Sequence, residues 1–136
     1  MNYTVTRSLF TDHMVKIFLV EDHAVMRNSL MALLEREPYF TISATAESAE
    51  EALELLDDLD ANLVLVDISL PGESGLSLVK AVRERRPDLD CIVLSGYDIA
   101  THGPLAKKVG ALAYIPKYKV REIIPTIRQA LNHVAA

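Results

Sequence analysis

The chain has one cysteine, no tryptophan and only five glycines in 136 residues, and it lacks an excess of basic charge. A single thiol excludes an internal disulfide and any cysteine-rich metal centre. Cys91 stands in the apolar run Cys91-Ile92-Val93-Leu94, which marks it as a small core residue. Lys and Arg number 14 against 19 Asp and Glu, a net charge of −5. That balance disfavours nonspecific binding to nucleic acid or to an anionic membrane surface. No apolar run approaches the ~18 residues of a membrane span. Met1 to His13 mixes Thr, Arg, Asp and Ser without an apolar centre, so it is not a secretory signal. Residues 1–14 read as a flexible N-terminal tail, with Met14 as an alternative start, and a cytoplasmic location is expected. What is present is ordinary for one globular domain: 50% hydrophobic and 24% charged residues, enough for a single core.

The stretch Leu63-Val64-Leu65-Val66-Asp67-Ile68-Ser69-Leu70-Pro71-Gly72 organises the rest. Four apolar residues in a row predict a strand buried on both faces, as in a parallel sheet, and Pro71-Gly72 ends it. Around it the chain alternates. A strand over Val15–Val20 ends in Glu21-Asp22. An amphipathic helix follows from His23 to Arg36, with Val25, Leu30, Leu33 and Leu34 on its apolar face and Pro38 as the stop. Phe40–Ala46 reads as a second strand. Ser48 is the N-cap of a helix to Leu59, with Glu51 completing a capping box and Ala49, Ala52, Leu53, Leu55 and Leu56 inward. After Asp67, Ser74 caps a helix through Arg86, and Arg83, Arg85 and Arg86 sit at its C-terminus, where the macrodipole favours positive charge. Cys91–Leu94 is a fourth strand, ending at Ser95-Gly96. Ala111–Ile115 is a fifth, leading to Pro116-Lys117, and a last helix runs from about Arg121 to Val134, with Pro125 in its first turn.

Five strands alternating with five helices predict an α/β fold with a doubly wound parallel sheet. Residues 15–136 form its one domain. In such sheets the chemistry gathers at the carboxyl ends of the strands. Those ends carry Glu21-Asp22, Asp67, Ser95 and Lys117. In the flavodoxin-like (βα)5 order 2-1-3-4-5, strands one and three are neighbours, which brings three carboxylates into one crevice. Like charges that close raise one another's pKa, and a hard divalent cation such as Mg²⁺ relieves them. Asp67 alone also reads as a solvated strand end. With a cation, a Lys and a hydroxyl beside it, it suits phosphoryl transfer to a carboxylate.

This constellation resembles the response-regulator receiver domain of two-component signalling, over essentially all of Val15 to Val134. The strings Val20-Glu21-Asp22-His23, Asp67-Ile68-Ser69-Leu70-Pro71-Gly72-Glu73-Ser74-Gly75 and Gly110-Ala111-Leu112-Ala113-Tyr114-Ile115-Pro116-Lys117 resemble the subgroup (NarL/LuxR-like) that carries a helix-turn-helix output domain. The resemblance implies that Asp67 accepts a phosphoryl group from the phosphohistidine of a sensor histidine kinase or a histidine phosphotransfer protein. It implies that Glu21, Asp22, Asp67 and the backbone carbonyl of Ser69 hold Mg²⁺ (or Mn²⁺). Ser95 and Lys117 would contact phosphoryl oxygens, Tyr114 would turn with Ser95 as the switch, and Ser69 and Tyr97 would tune hydrolysis. Such a domain is not an enzyme in the ordinary sense: it catalyses its own phosphorylation and dephosphorylation. Its partners would be the kinase and either a downstream protein or a DNA-binding output domain missing from this chain, which itself binds no nucleic acid and no membrane. Stand-alone and excised receivers both remain open.

A phosphorylation-independent adaptor with this fold is the alternative, and the intact five-residue site argues against it. A flavodoxin-like cofactor binder would need a phosphate-cradling loop where Glu21-Asp22-His23 stands, and no second acid/base residue supports an independent phosphate-ester hydrolase. His23 is expected near the site but not on the metal; His13, His102 and His133 read as surface residues. Gly103-Pro104 falls where the fourth helix would have its middle. Because proline suits a first helical turn, a loop from Gly96 to Gly103 is expected, then a helix of about two turns to Val109, closed by Gly110. A cis Lys117–Tyr118 bond would be strained, because Tyr118 is not proline.

Overall fold

A computed structural model describes residues 14–68, 75–96 and 99–135, with the side chains of 99–101 and 132–135 left aside. The expected tail therefore lies, apart from Met14, outside the described residues, as does the Ser74 cap. The strands are β1 (Val15–Val20), β2 (Phe40–Ala46), β3 (Leu63–Asp67), β4 (Asp90–Ser95) and β5 (Ala113–Pro116). The helices are α1 (Ala24–Glu35), α2 (Ala49–Leu55, continued by a 3₁₀ turn over Leu56–Asp58), α3 (Gly75–Arg85), α4 (Ile99–Lys108) and α5 (Ile123–Ala135, preceded by a 3₁₀ turn over Lys117–Glu122). The sheet is parallel, as the alternation predicts, and has the flavodoxin-like order 2-1-3-4-5.

Each central strand is buried on both faces and feeds two separate cores. Phe18 and Val20, Val64 and Val66, and Cys91 and Val93 pack with Ala52, Val79 and Ala106 of α2, α3 and α4. Ile17 and Leu19, Leu63 and Leu65, and Ile92 and Leu94 pack with Leu30, Leu34, Ile123 and Ile127 of α1 and α5. Each fully buried Leu or Ile contributes about 1.5–3 kcal/mol. Cys91 is a core residue, and burial pushes its thiol up to about 12.

Some local expectations are corrected. Val25 does not face the core; it is 81% exposed, and Met26 packs inward instead. Leu55 is also on the outside of α2. The capping box is half reciprocal: the Glu51 amide donates to Ser48 Oγ at 3.1 Å, but Glu51 Oε1 accepts from the Glu47 amide at 2.8 Å, one residue before the cap. The expected loop and two-turn helix give way to a ten-residue α4 that holds Pro104 inside it. Pro104, the sixth residue, removes the ladder bond to the carbonyl of residue 100, while fully buried Ala106 packs the helix against the sheet. Gly110 closes this region with φ of 102°, and His102, expected on the surface, is half-buried. Pro125 is the third residue of α5, within the first turn. No peptide bond among the described residues is cis, so Lys117–Tyr118 is trans.

The arginines at the end of α3 do more than meet a macrodipole. Arg86 Nη1 donates to the carbonyls of Leu56 (2.8 Å) and Leu59 (3.1 Å), tying the end of the α2 segment to α3, and its other nitrogens hold Asp88. Arg85 pairs with Asp57, and Arg83 donates to the Pro87 carbonyl.

Candidate functional site

The register of the sheet delivers the predicted residues to one edge. Val20 pairs with Val66, Asp67 with Leu94, and Ser95 with Pro116, so the acidic pair, Asp67, Ser95 and Lys117 emerge side by side. The ladder runs one step past Asp67, where the Ile68 amide donates to the Leu94 carbonyl at 3.0 Å. Glu21, Asp67 and Ser95 are the buried polar residues among those described, with Glu21 and Ser95 at 0% exposure and Asp67 at 1%.

Lys117 Nζ donates to Asp67 Oδ2 at 2.9 Å and stands 3.5 Å from Glu21 Oε1. On the opposite side, the backbone amide of His23 donates to Glu21 Oε2 at 3.2 Å. Burial pushes the Glu21 carboxyl above the ordinary range; the Asp67 charge pushes the same way, against the His23 amide and the Lys117 ammonium. For Lys117 burial works downward, but the hydrogen bond and charge of Asp67, with Glu21, hold the ammonium above its usual value.

Ligand atoms of Glu21, Asp22, His23 and Asp67 lie within 4.8 Å of one another. Among the described residues, no hydrogen bond reaches Oε1 of Glu21 or Oδ1 of Asp22, though both atoms are buried. Buried carboxylate oxygens without a hydrogen bond fit a hard cation, and one ammonium does not balance three carboxylates. The acidic pocket is thus able to bind a metal.

Tyr114 pairs with Val93, two residues before Ser95, and is half-buried against the core that contains Val93. Ser69 and Tyr97 lie outside the described residues. Sequence reasoning missed two supports. The imidazole of His23 comes closer to the acids than expected, with Nδ1 3.3 Å from Asp22 Oδ1. Arg27 of α1 donates to the Glu21 carbonyl at 2.8 Å and pairs with Glu47 at 3.3 Å. Its only sequence signal is a lone cation in this helix, six positions after Glu21.

The description "response regulator receiver domain" matches residues 17–128. The chain belongs to the response-regulator receiver family. It is 36% identical over 117 residues to the aerobic respiration control protein ArcA of Escherichia coli, covering 85% of this chain and 48% of ArcA. It is 34% identical over 104 residues to the DNA-binding transcriptional activator DevR/DosR of Mycobacterium tuberculosis, covering 76% of this chain and 48% of that protein. The receiver thus spans about half the length of these curated relatives. Among solved structures, a LuxR family two-component response regulator from Aurantimonas superposes with a TM-score of 0.84 at 26% identity, covering 88% of this chain and 86% of that one. A CheY-like receiver domain protein from Methanospirillum hungatei gives 0.77 at 29% identity, covering 88% and 95%. Receivers of this family are signalling domains rather than enzymes that turn over a free substrate. No helix among the described residues is long and apolar enough to cross a membrane.

Proposed function

We propose that residues 15–136 are a phospho-acceptor domain, in which Asp67 takes a phosphoryl group from the phosphohistidine of a sensor histidine kinase or histidine phosphotransfer protein in the cytoplasm. The observation that carries this reading is Lys117 Nζ at 2.9 Å from Asp67 Oδ2, within a pocket of three carboxylates. A carboxylate oxygen of Asp67 attacks phosphorus; the P–O bond forms as the P–N bond breaks, and the imidazole leaves with the electron pair and a proton from solvent. Lys117 stays within reach of the transferred oxygens, and the Ser95 hydroxyl at the neighbouring strand end donates to one of them. Glu21, Asp22, Asp67 and the Ser69 carbonyl would hold Mg²⁺ or Mn²⁺, which when bound neutralises charge on those oxygens.

Water later hydrolyses the acyl phosphate, so the domain catalyses both its own loading and its own reset. The added charge draws Ser95 inward, Tyr114 follows, and a surface changes for a downstream partner. Likeness to a DNA-binding regulator of which this chain covers 48% supports an output domain as one such partner.

The test is intact mass after incubation with acetyl phosphate, with and without Mg²⁺, beside Asp67→Asn. One added phosphoryl group that needs both Mg²⁺ and Asp67 is expected. No gain by the folded protein would overturn the reading in favour of a phosphorylation-independent adaptor.

A further inference from the structure

We propose that His23 supplies a nitrogen ligand to the acidic site, raising its preference for first-row transition-metal dications above what its carboxylates alone give. The proposal rests on the reading of Glu21, Asp22 and Asp67 as a metal site, and names a residue outside that oxygen set. His23 is the N-cap of α1, with extended backbone at φ −81° and ψ 115°, yet its side chain makes no capping hydrogen bond. An N-cap side chain ordinarily satisfies a free amide of the first turn. Here the ring is instead turned back onto the acids, with Nδ1 3.3 Å from Asp22 Oδ1 and 3.5 Å from Glu21 Oε2, although 70% of the side chain is exposed. Burial does not force that orientation.

The second observation is independent of the cluster's charge. Glu21 Oε1 is fully buried and accepts no hydrogen bond among the described residues; Lys117 Nζ stands 3.5 Å from it as an ion pair. Lys117 approaches the site from the Glu21 Oε1 and Asp67 Oδ2 side, while His23 approaches from the Glu21 Oε2 and Asp22 side. The imidazole and the ammonium therefore do not compete for one position.

The distances suit a single ion. Two ligands at about 2.1 Å from one cation stand at most about 4.2 Å apart. The four ligand atoms, already within 4.8 Å, need close by only about 0.6 Å. Mg²⁺ takes oxygen and gains little from an imidazole, whereas Co²⁺, Ni²⁺ and Zn²⁺ gain a strong borderline donor. His23 would thus set which cation the site selects.

Calorimetric titration of the full chain with CoCl₂ and with MgCl₂ tests this, on the parent, His23→Ala and His23→Gln. Proton NMR of the Co²⁺ complexes reads ligation directly, through strongly shifted imidazole resonances. Loss of His23 should weaken Co²⁺ binding roughly tenfold or more, with Mg²⁺ binding within about twofold of the parent. The shifted ring signals should be present in the parent and absent from both variants. Equal Co²⁺ affinity in all three proteins, or shifted signals that persist in His23→Ala, would overturn the role of His23 while Mg²⁺-dependent labelling of Asp67 survived. Failure of the parent to bind either cation would remove the metal site itself, and the proposal with it.

Discussion

Gly75, the first residue of α3, lies directly against the backbone of Asp67: a Cβ there would stand 2.3 Å from the Asp67 carbonyl oxygen and 2.6 Å from Cα of Ile68. The Gly75 amide also donates to the Ile68 carbonyl at 3.0 Å, so this helix starts at hydrogen-bond distance from the end of β3. Only a hydrogen atom fits between them. Gly75→Ala must shift either α3 or the end of β3, and should cost about 1–3 kcal/mol. Urea unfolding measures that cost. Acetyl phosphate labelling of the folded fraction should fall as well, because Asp67 moves with its backbone. Unchanged stability and labelling would mean that the two elements pack more loosely than these distances state.

Lys117→Met removes the cation that stands between Asp67 and Glu21. Two buried carboxylates are then left facing each other. Breaking a fully buried pair costs about 3–5 kcal/mol, and Lys117 is a quarter exposed, so about 1–3 kcal/mol is expected. Added Mg²⁺ should recover part of the loss, through RT ln(1 + [L]/Kd), about 1.4 kcal/mol at ten times the dissociation constant. A variant as stable as the parent, and indifferent to Mg²⁺, would show that the ammonium contributes nothing to holding the acids.

Arg86→Lys tests the strap between α3 and the α2 segment. One guanidinium reaches Leu56 and Leu59 carbonyls while also holding Asp88. A lysine carries the charge but not the planar fork. The substitution should cost about 1–3 kcal/mol, the range for charge-assisted hydrogen bonds to carbonyls that lose their donor. Amide exchange at the 3₁₀ turn over Leu56–Asp58 should accelerate with it; a turn that stays equally protected would refute the strap.

Asp90 gives a pH signature. Burial raises its carboxyl above the ordinary range, and Arg83 at 3.9 Å only partly offsets this. A carboxyl raised on folding binds protons more tightly in the native state. Its contribution to stability therefore falls as pH climbs from the unfolded value near 3.8 through the raised native one, and is level above that. Asp90→Asn should lose this decline, so its advantage over the parent should grow across that window and stay constant to pH 8. Denaturant titrations from pH 3 to pH 8 read the difference. An advantage largest at the acid end would reverse the sign and exclude the burial effect.

Much of this was legible because parallel strands announce themselves. Four consecutive apolar residues before Asp67 need cover on both faces, which marks β3 as an interior strand. Asp22, Asp67, Ser95 and Lys117 follow from counting to the ends of such runs. What stayed hidden depends on partners distant in sequence or on degree. The Arg86 strap joins positions 27 and 30 residues apart, which no local pattern records. Pro104 reads as a helix start because an interior proline is usually costly, yet it is the sixth residue of the ten-residue α4. Val25 and Met26 are adjacent apolar residues, and a shift of one position on the helix wheel decides which is buried. His23 could be placed beside the acids by sequence; the direction of its ring could not.

The two margins of the sheet are blunted in different ways. At one edge β2 carries an extra residue, Ser43, between Ile42, paired with Ile17, and Ala44, paired with Phe18, and Ser43 Oγ donates to the Ile17 carbonyl at 3.3 Å. At the other, β5 has four residues and ends on Pro116, which has no amide hydrogen to offer. A kinked border and a short, proline-stopped one are poor templates for a visiting strand. Fibrous self-association through sheet edges is thereby discouraged even at high concentration, and whatever docks on this domain finds helices and loops to grip rather than an open ladder.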